Sequence, residues 1–155
     1  MNTDLAHLIF SLDGRIGRRR FWLATLFLLG ISVAATYLVL VLVGPSRAAV
    51  AFSASIAFAL AYPSYAVMAK RFQDRGKSGW LALVGLVPAY AVNLLYTFSV
   101  FDPLDPPAVA RVLDIVIALI FLWIVVELGF LKGTLGPNAY GLNPSGDPRA
   151  DAELG

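Results

Sequence analysis

Long apolar runs alternate with short polar segments along the whole chain. Residues 21–43 carry no charged side chain. Residues 48–69 contain Pro63, residues 80–101 contain Pro88 and Asn93, and residues 112–131 hold Asp114 and Glu127. Each run has the ~20 residues that an α-helix needs to cross a hydrocarbon core of ~30 Å. The runs are unbroken and about twice as long as a barrel strand, which argues against a β-barrel. Short connections make neighbouring helices antiparallel. The pattern therefore predicts an all-α membrane protein: four transmembrane helices in one antiparallel bundle within residues 1–144. The polar residues 145–155 are expected to be a disordered tail.

Charge then orients the bundle. The 155 residues are 59% hydrophobic and 14% charged, with mean hydropathy +0.75, whereas soluble domains carry about 25% charged residues. Four of the twelve Lys and Arg precede the first run (Arg15, Arg18, Arg19, Arg20), four lie between the second and third (Lys70, Arg71, Arg75, Lys77), and two follow the fourth (Lys132, Arg149). Only Arg47 and Arg111 fall in the other two connections. The positive-inside rule places the ten in the cytoplasm, giving an inner-membrane protein with both termini inside. Arg18-Arg19-Arg20-Phe21 has the look of a twin-arginine export signal. The apolar run behind it exceeds the usual 7–15 residues and further spans follow, so it reads as an uncleaved anchor. Cysteine is absent, which excludes disulfides and thiolate chemistry. Basic clusters that flank apolar spans, instead of covering a soluble face, argue against nucleic-acid binding.

Within the spans, small residues step by four: Ala49, Ser53, Ala57 and Ala61 in the second, Gly85, Ala89, Asn93 and Thr97 in the third. Such stripes let helices approach closely, and Asn93 is expected to hydrogen-bond across one of them. Pro63 and Pro88 each free a carbonyl and invite a bend. Asp114 and Glu127 are thirteen residues apart, about 20 Å along a helix and on different faces, so they do not form a carboxylate pair. Glu127 is expected to pair with Lys132, Lys70 or Arg71, and Asp114 to sit at the outer headgroups beside Arg111.

The polar segments on the basic side carry the distinctive residues. Leu5, Leu8, Ile9 and Leu12 have helical spacing behind Thr3 and Asp4 as caps, which predicts a short interfacial helix bearing His7, the only histidine. It leads into Phe10-Ser-Leu-Asp-Gly14-Arg15-Ile-Gly-Arg18-Arg-Arg-Phe21-Trp22. The middle segment reads Lys70-Arg71-Phe72-Gln73-Asp74-Arg75-Gly76-Lys77-Ser78-Gly79-Trp80, and the last Gly133-Thr134-Leu-Gly136-Pro-Asn138-Ala-Tyr140-Gly141-Leu-Asn143-Pro144. Together the three blocks, over about residues 10–144, resemble domain-of-unknown-function family 805, small bacterial inner-membrane proteins. Gln73 departs from that family's usual His and Asn143 from its common Asp. The resemblance implies a location but no established activity.

All three blocks fall on the basic side and are expected to assemble into one cytoplasmic cap. Arg15 and Arg18 can grip carboxylate or phosphate in bidentate fashion. Asp74 is within reach of Lys70 and Arg71 if the second helix continues that far, with Gly76 as its C′ residue. Trp80 would anchor the third span at the interface. Asn138 and Tyr140 lie in Gly/Pro-rich turns that can fold back over the middle segment. Gly76-Lys77-Ser78 is no phosphate-binding P-loop, since Arg71 stands where its first glycine is required and no strand leads in.

Three functions are compatible with this layout. The first is a structural or interaction module whose cap binds a cytoplasmic protein partner or anionic lipid headgroups. The second is a small transporter or channel subunit, assembled from several copies around Asn93 and the prolines. The third is a lipid-modifying enzyme with Asp74 as base. No nucleophile–base pair or metal-ligand spacing supports catalysis, so the chain reads as a non-enzyme without a cofactor.

Overall fold

The structure, a computed structural model, describes residues 5–102 and 105–144. The proposed caps Thr3 and Asp4 and the tail 145–155 lie outside the described residues. Among the described residues there are five α-helices: α1 (Leu5–Phe10), α2 (Arg18–Val43), α3 (Arg47–Asp74), α4 (Ala82–Thr97) and α5 (Ala108–Ile124). A 3-10 turn, Gly79–Leu81, leads into α4, and a π-helical turn, Val125–Phe130, prolongs α5. Counting these extensions, four helices among the described residues are long and apolar enough to cross a membrane.

The ends of the elements follow from local chemistry. Ser46 starts α3 by accepting the Ala49 amide on its hydroxyl at 3.2 Å. At the other end the Lys77 amide bonds to Phe72 O and the Gly76 amide to Gln73 O, both at 2.9 Å. This is a Schellman closure, and it requires the left-handed Gly76, φ +70°. Helix α3 thus continues to Asp74, past the apolar run that ends near residue 69. Its 28 residues extend about 42 Å, some 12 Å more than a hydrocarbon core. The overhang carries Lys70, Arg71 and Asp74. By contrast α4 stops at Thr97, short of Phe101, where the chain turns through Ser99 at φ 58°. The fourth apolar run is not one α-helix either: it widens into the π turn, where the Leu131 amide reaches back five residues to Val126 O at 3.3 Å.

Successive long helices touch, and the π turn contacts both α2 and α3. Buried apolar side chains gather toward that end, among them Phe21 and Leu28 of α2, Val67 and Phe72 of α3, Leu86 of α4, and Leu128 of the π turn. Of the small-residue stripes, Ala49 and Gly85 are buried and most of the others half-buried. A Cβ on Gly85 would lie 2.5 Å from Ile124 Cδ1, so α4 and α5 meet there at glycine distance. Asn93 does not fulfil its expected bridging role: it is exposed, and no hydrogen bond of its side chain to another helix occurs among the described residues. A row stepping by four drifts about 40° per step, so Asn93 has swung some 80° from Gly85. Tyr90 does the tying instead, donating its hydroxyl to Ala57 O at 2.9 Å. Asp114 likewise accepts from the Tyr96 hydroxyl at 2.7 Å, while Arg111 pairs with Asp105 at 3.3 Å.

Candidate functional site

The three polar blocks converge on one carboxylate. Asp74, buried at the end of α3, takes Arg71 on Oδ2, one helical turn earlier. Arg15 approaches the other oxygen, its Nε 3.2 Å from Oδ1. The remaining N–H groups of Arg15 donate to Gly136 O at 2.7 Å, Gly141 O at 3.1 Å, Thr134 O at 2.7 Å and Thr134 Oγ1 at 3.1 Å. A guanidinium has five N–H donors, so Arg15 is saturated within the fold and offers nothing to a phosphate. Of the two anions its fork can grip, it takes the carboxylate, and it forms the clasp between the first block and the last.

Arg71 has a second task, set by the π turn. The last carbonyls of a helix lack intrahelical partners and carry the negative end of its dipole. Here they are met by cations and an indole. Arg71 donates to Leu128 O at 2.8 Å and Leu131 O at 2.6 Å, Trp22 Nε1 to Gly129 O at 3.2 Å, and Arg18 to Phe130 O at 3.1 Å. Gly129 is needed because a Cβ would strike the Trp22 ring at 2.6 Å. Gly133 is needed for a similar reason: its Cβ would fall on the Asp74 carboxylate.

The last block closes over this centre. Thr134 donates its amide to Asp74 O at 2.8 Å and its hydroxyl to the same oxygen at 3.1 Å. Asn138 Nδ2 donates to Gln73 O at 3.0 Å and Thr134 Oγ1 at 2.9 Å, and its own Oδ1 accepts the Tyr140 amide at 2.9 Å. Gly136 and Gly141 sit at positive φ, 67° and 129°, where turns need glycine. Gln73, turned with its nitrogen toward the first block, donates to Gly14 O at 2.7 Å and Leu12 O at 3.2 Å.

Several side chains take other partners than expected. Glu127 binds Lys77 at 2.7 Å and Arg75 at 3.1 Å, not Lys132, Lys70 or Arg71. The reason is position: Lys70 lies on the face of α3 toward α1, where its ammonium meets the carbonyls of His7 at 2.8 Å and Leu8 at 2.5 Å. That contact holds α1 against α3, with Leu8 and Ile9 packed on the core. Ser78 caps the 3-10 turn, Gly79 packs on Ala69, and Trp80 projects outward, as an interfacial anchor does. Phe21 is buried in the core beneath the cap.

A cleft of about 590 Å³ opens beside the centre. It reaches Arg71 and Asp74, and Pro144 and Asn143 border it; its other cations are Arg18, Arg19, Arg20 and Lys132. Arg19, Arg20 and Lys132 make no side-chain ion pair among the described residues. Motif spacing does not single out these three. What marks them is their place: Arg18–Arg20 form the first turn of α2, behind a glycine N-cap that brings no side chain to the helix amides. Cations at the positive end of a helix repel its dipole, which makes this rim an electrostatic opening for an anion.

Residues 9–142 match the family described as Protein of unknown function (DUF805). The chain is 33% identical over 133 residues to the protein named Uncharacterized protein YiiR of Escherichia coli strain K12, covering 86% of this chain and 85% of that protein. The YiiR protein of Escherichia coli O157:H7 matches to the same extent. No solved structure matches. The chain belongs to the DUF805 family.

Proposed function

We propose that this DUF805 protein is an inner-membrane protein of four antiparallel transmembrane helices, both termini cytoplasmic, and that its cap is an interaction module for phosphate-bearing anionic lipid headgroups. One observation carries the reading. The buried arginines, Arg15 and Arg71, are engaged by Asp74 and by backbone carbonyls, while Arg19, Arg20 and Lys132 border an adjoining cleft. Asp74, held between two guanidiniums, serves as an ion-pair acceptor and not as a base for lipid chemistry. Each cation near an anionic leaflet gains about 1 kcal/mol, so three together are worth roughly a hundredfold in affinity.

The test is native mass spectrometry of the protein in discs of phosphatidylcholine mixed with phosphatidylglycerol. The wild-type protein is expected to retain phosphatidylglycerol selectively. The triple variant Arg19→Gln, Arg20→Gln, Lys132→Gln is expected to lose that selectivity while keeping its thermal stability. Equal retention by both proteins contradicts the proposal, as does a cytoplasmic protein retained in place of lipid when the protein is extracted from cells.

A further inference from the structure

We infer that the apolar cavity among the four long helices is the seat of one acyl chain of the same anionic lipid; this rests on the headgroup reading above. The cavity holds about 410 Å³ and draws its walls from α2, α3, α4 and the end of α5. That volume lies in the range of ~300–1,000 Å³ typical of ligand sites. No charged side chain lines it. Its polar groups are few: Thr25, Ser32, Ser64, Tyr90 and Asn93. The Tyr90 hydroxyl is already donated to Ala57 O. A polar solute would find little to bind there, whereas a hydrocarbon chain needs only apolar contact.

The cavity and the headgroup site are lined from one face of a single helix. Arg18, Phe21, Thr25, Leu28 and Ser32 follow the i+3, i+4 spacing of a single stripe of α2. Arg18 borders the basic cleft and the other four line the cavity. From Arg18 to Ser32 the stripe covers about 21 Å, the distance from headgroup level to near the middle of the bilayer. A lipid phosphate at Arg18–Arg20 would thus have its chain directed down this stripe into the cavity. A free phosphate, or a headgroup alone, would leave the cavity unused. This commits the occupant to a two-part amphiphile, anionic at one end.

The experiment uses phosphatidylglycerol, and separately phosphatidylcholine, carrying a photoreactive group midway along one acyl chain. Each is mixed into discs containing the full chain, and labelled peptides are mapped after illumination. Labelling by the phosphatidylglycerol probe is expected to concentrate on Thr25, Ser32 and Tyr90, severalfold above the outward-facing Leu26 and Leu119. Ala89→Phe, which fills the cavity from α4, is expected to abolish that excess while phosphatidylglycerol retention persists. Ser32→Phe fills it independently from α2, and the wild-type map needs no variant. Uniform labelling around all four helices, with phosphatidylglycerol still retained, overturns the chain site and leaves the headgroup reading intact. Equal cavity labelling by both probes overturns the headgroup selection instead. A dimeric native mass together with no labelling at the cavity would show that a second copy fills it, which also overturns the inference.

Discussion

Asp74 is the residue on which the cap depends. It is buried with Arg15 and Arg71, and removing one member of a buried ion network leaves uncompensated charge, costing about 3–5 kcal/mol. Asp74→Asn is therefore expected to lower the unfolding free energy in detergent by about that amount, whereas Lys77→Gln, at the half-exposed pair with Glu127, should cost about 1 kcal/mol or less. Equal losses for both would contradict the hierarchy. Gly133→Ala drives a methyl onto the Asp74 carboxylate, while Gly17→Ala meets open space. Thermal unfolding should register a large drop for the first and little change for the second. Some of this was legible in the sequence. Asp74 within one turn of Arg71 follows from helix spacing, and glycines beside polar side chains hint at close approach. The partnership of Arg15 with Asp74 is not local: it spans 59 positions and depends on how three segments meet. Spacing likewise gave no means of telling a saturated Arg15 from the unpaired Arg19.

At the scale of elements, the apolar runs located every long helix, because a backbone in hydrocarbon must satisfy its hydrogen bonds internally. Their ends were harder to read, since polar partners supplied by other elements decide them. Helix α3 continues to Asp74 because Gly76 closes it beyond the apolar run. The π turn is invisible to hydropathy, since Val125–Phe130 is as apolar as the helix before it except for Glu127. It is stabilised by Arg71, Trp22 and Arg18, which reach its carbonyls from two other helices. The stripe of α4 was readable at Gly85 and misleading at Asn93, where the four-residue step drifts out of register. Gly85→Ala should overpack against Ile124 and cost about 1–3 kcal/mol. Gly30→Ala, in the middle of α2 with nothing within 4 Å of its new methyl, should be neutral or stabilising by up to about 1 kcal/mol. Unfolding in detergent of the two single variants checks both signs.

Across the whole molecule, a division of labour between cations connects the fold to the proposed function. Some close the structure: Arg15 and Arg71 on Asp74, Lys70 on α1, Arg75 and Lys77 on Glu127. Arg19, Arg20 and Lys132 border the cleft instead, which is where the proposed headgroup site needs them. Counting charge by segment shows which side is basic, but only the packed structure separates these two sets. Every role assigned to the cap supposes that it faces the cytosol. Because the chain has no cysteine, single cysteines report its sidedness cleanly. Asp13→Cys and Ser78→Cys mark the cap side, Arg47→Cys and Val100→Cys the opposite connections, and a membrane-impermeant maleimide is applied to intact spheroplasts. Labelling is expected at 47 and 100 without permeabilisation, and at 13 and 78 only after it. Labelling at 13 or 78 in intact spheroplasts would contradict the four-pass topology with a cytoplasmic cap.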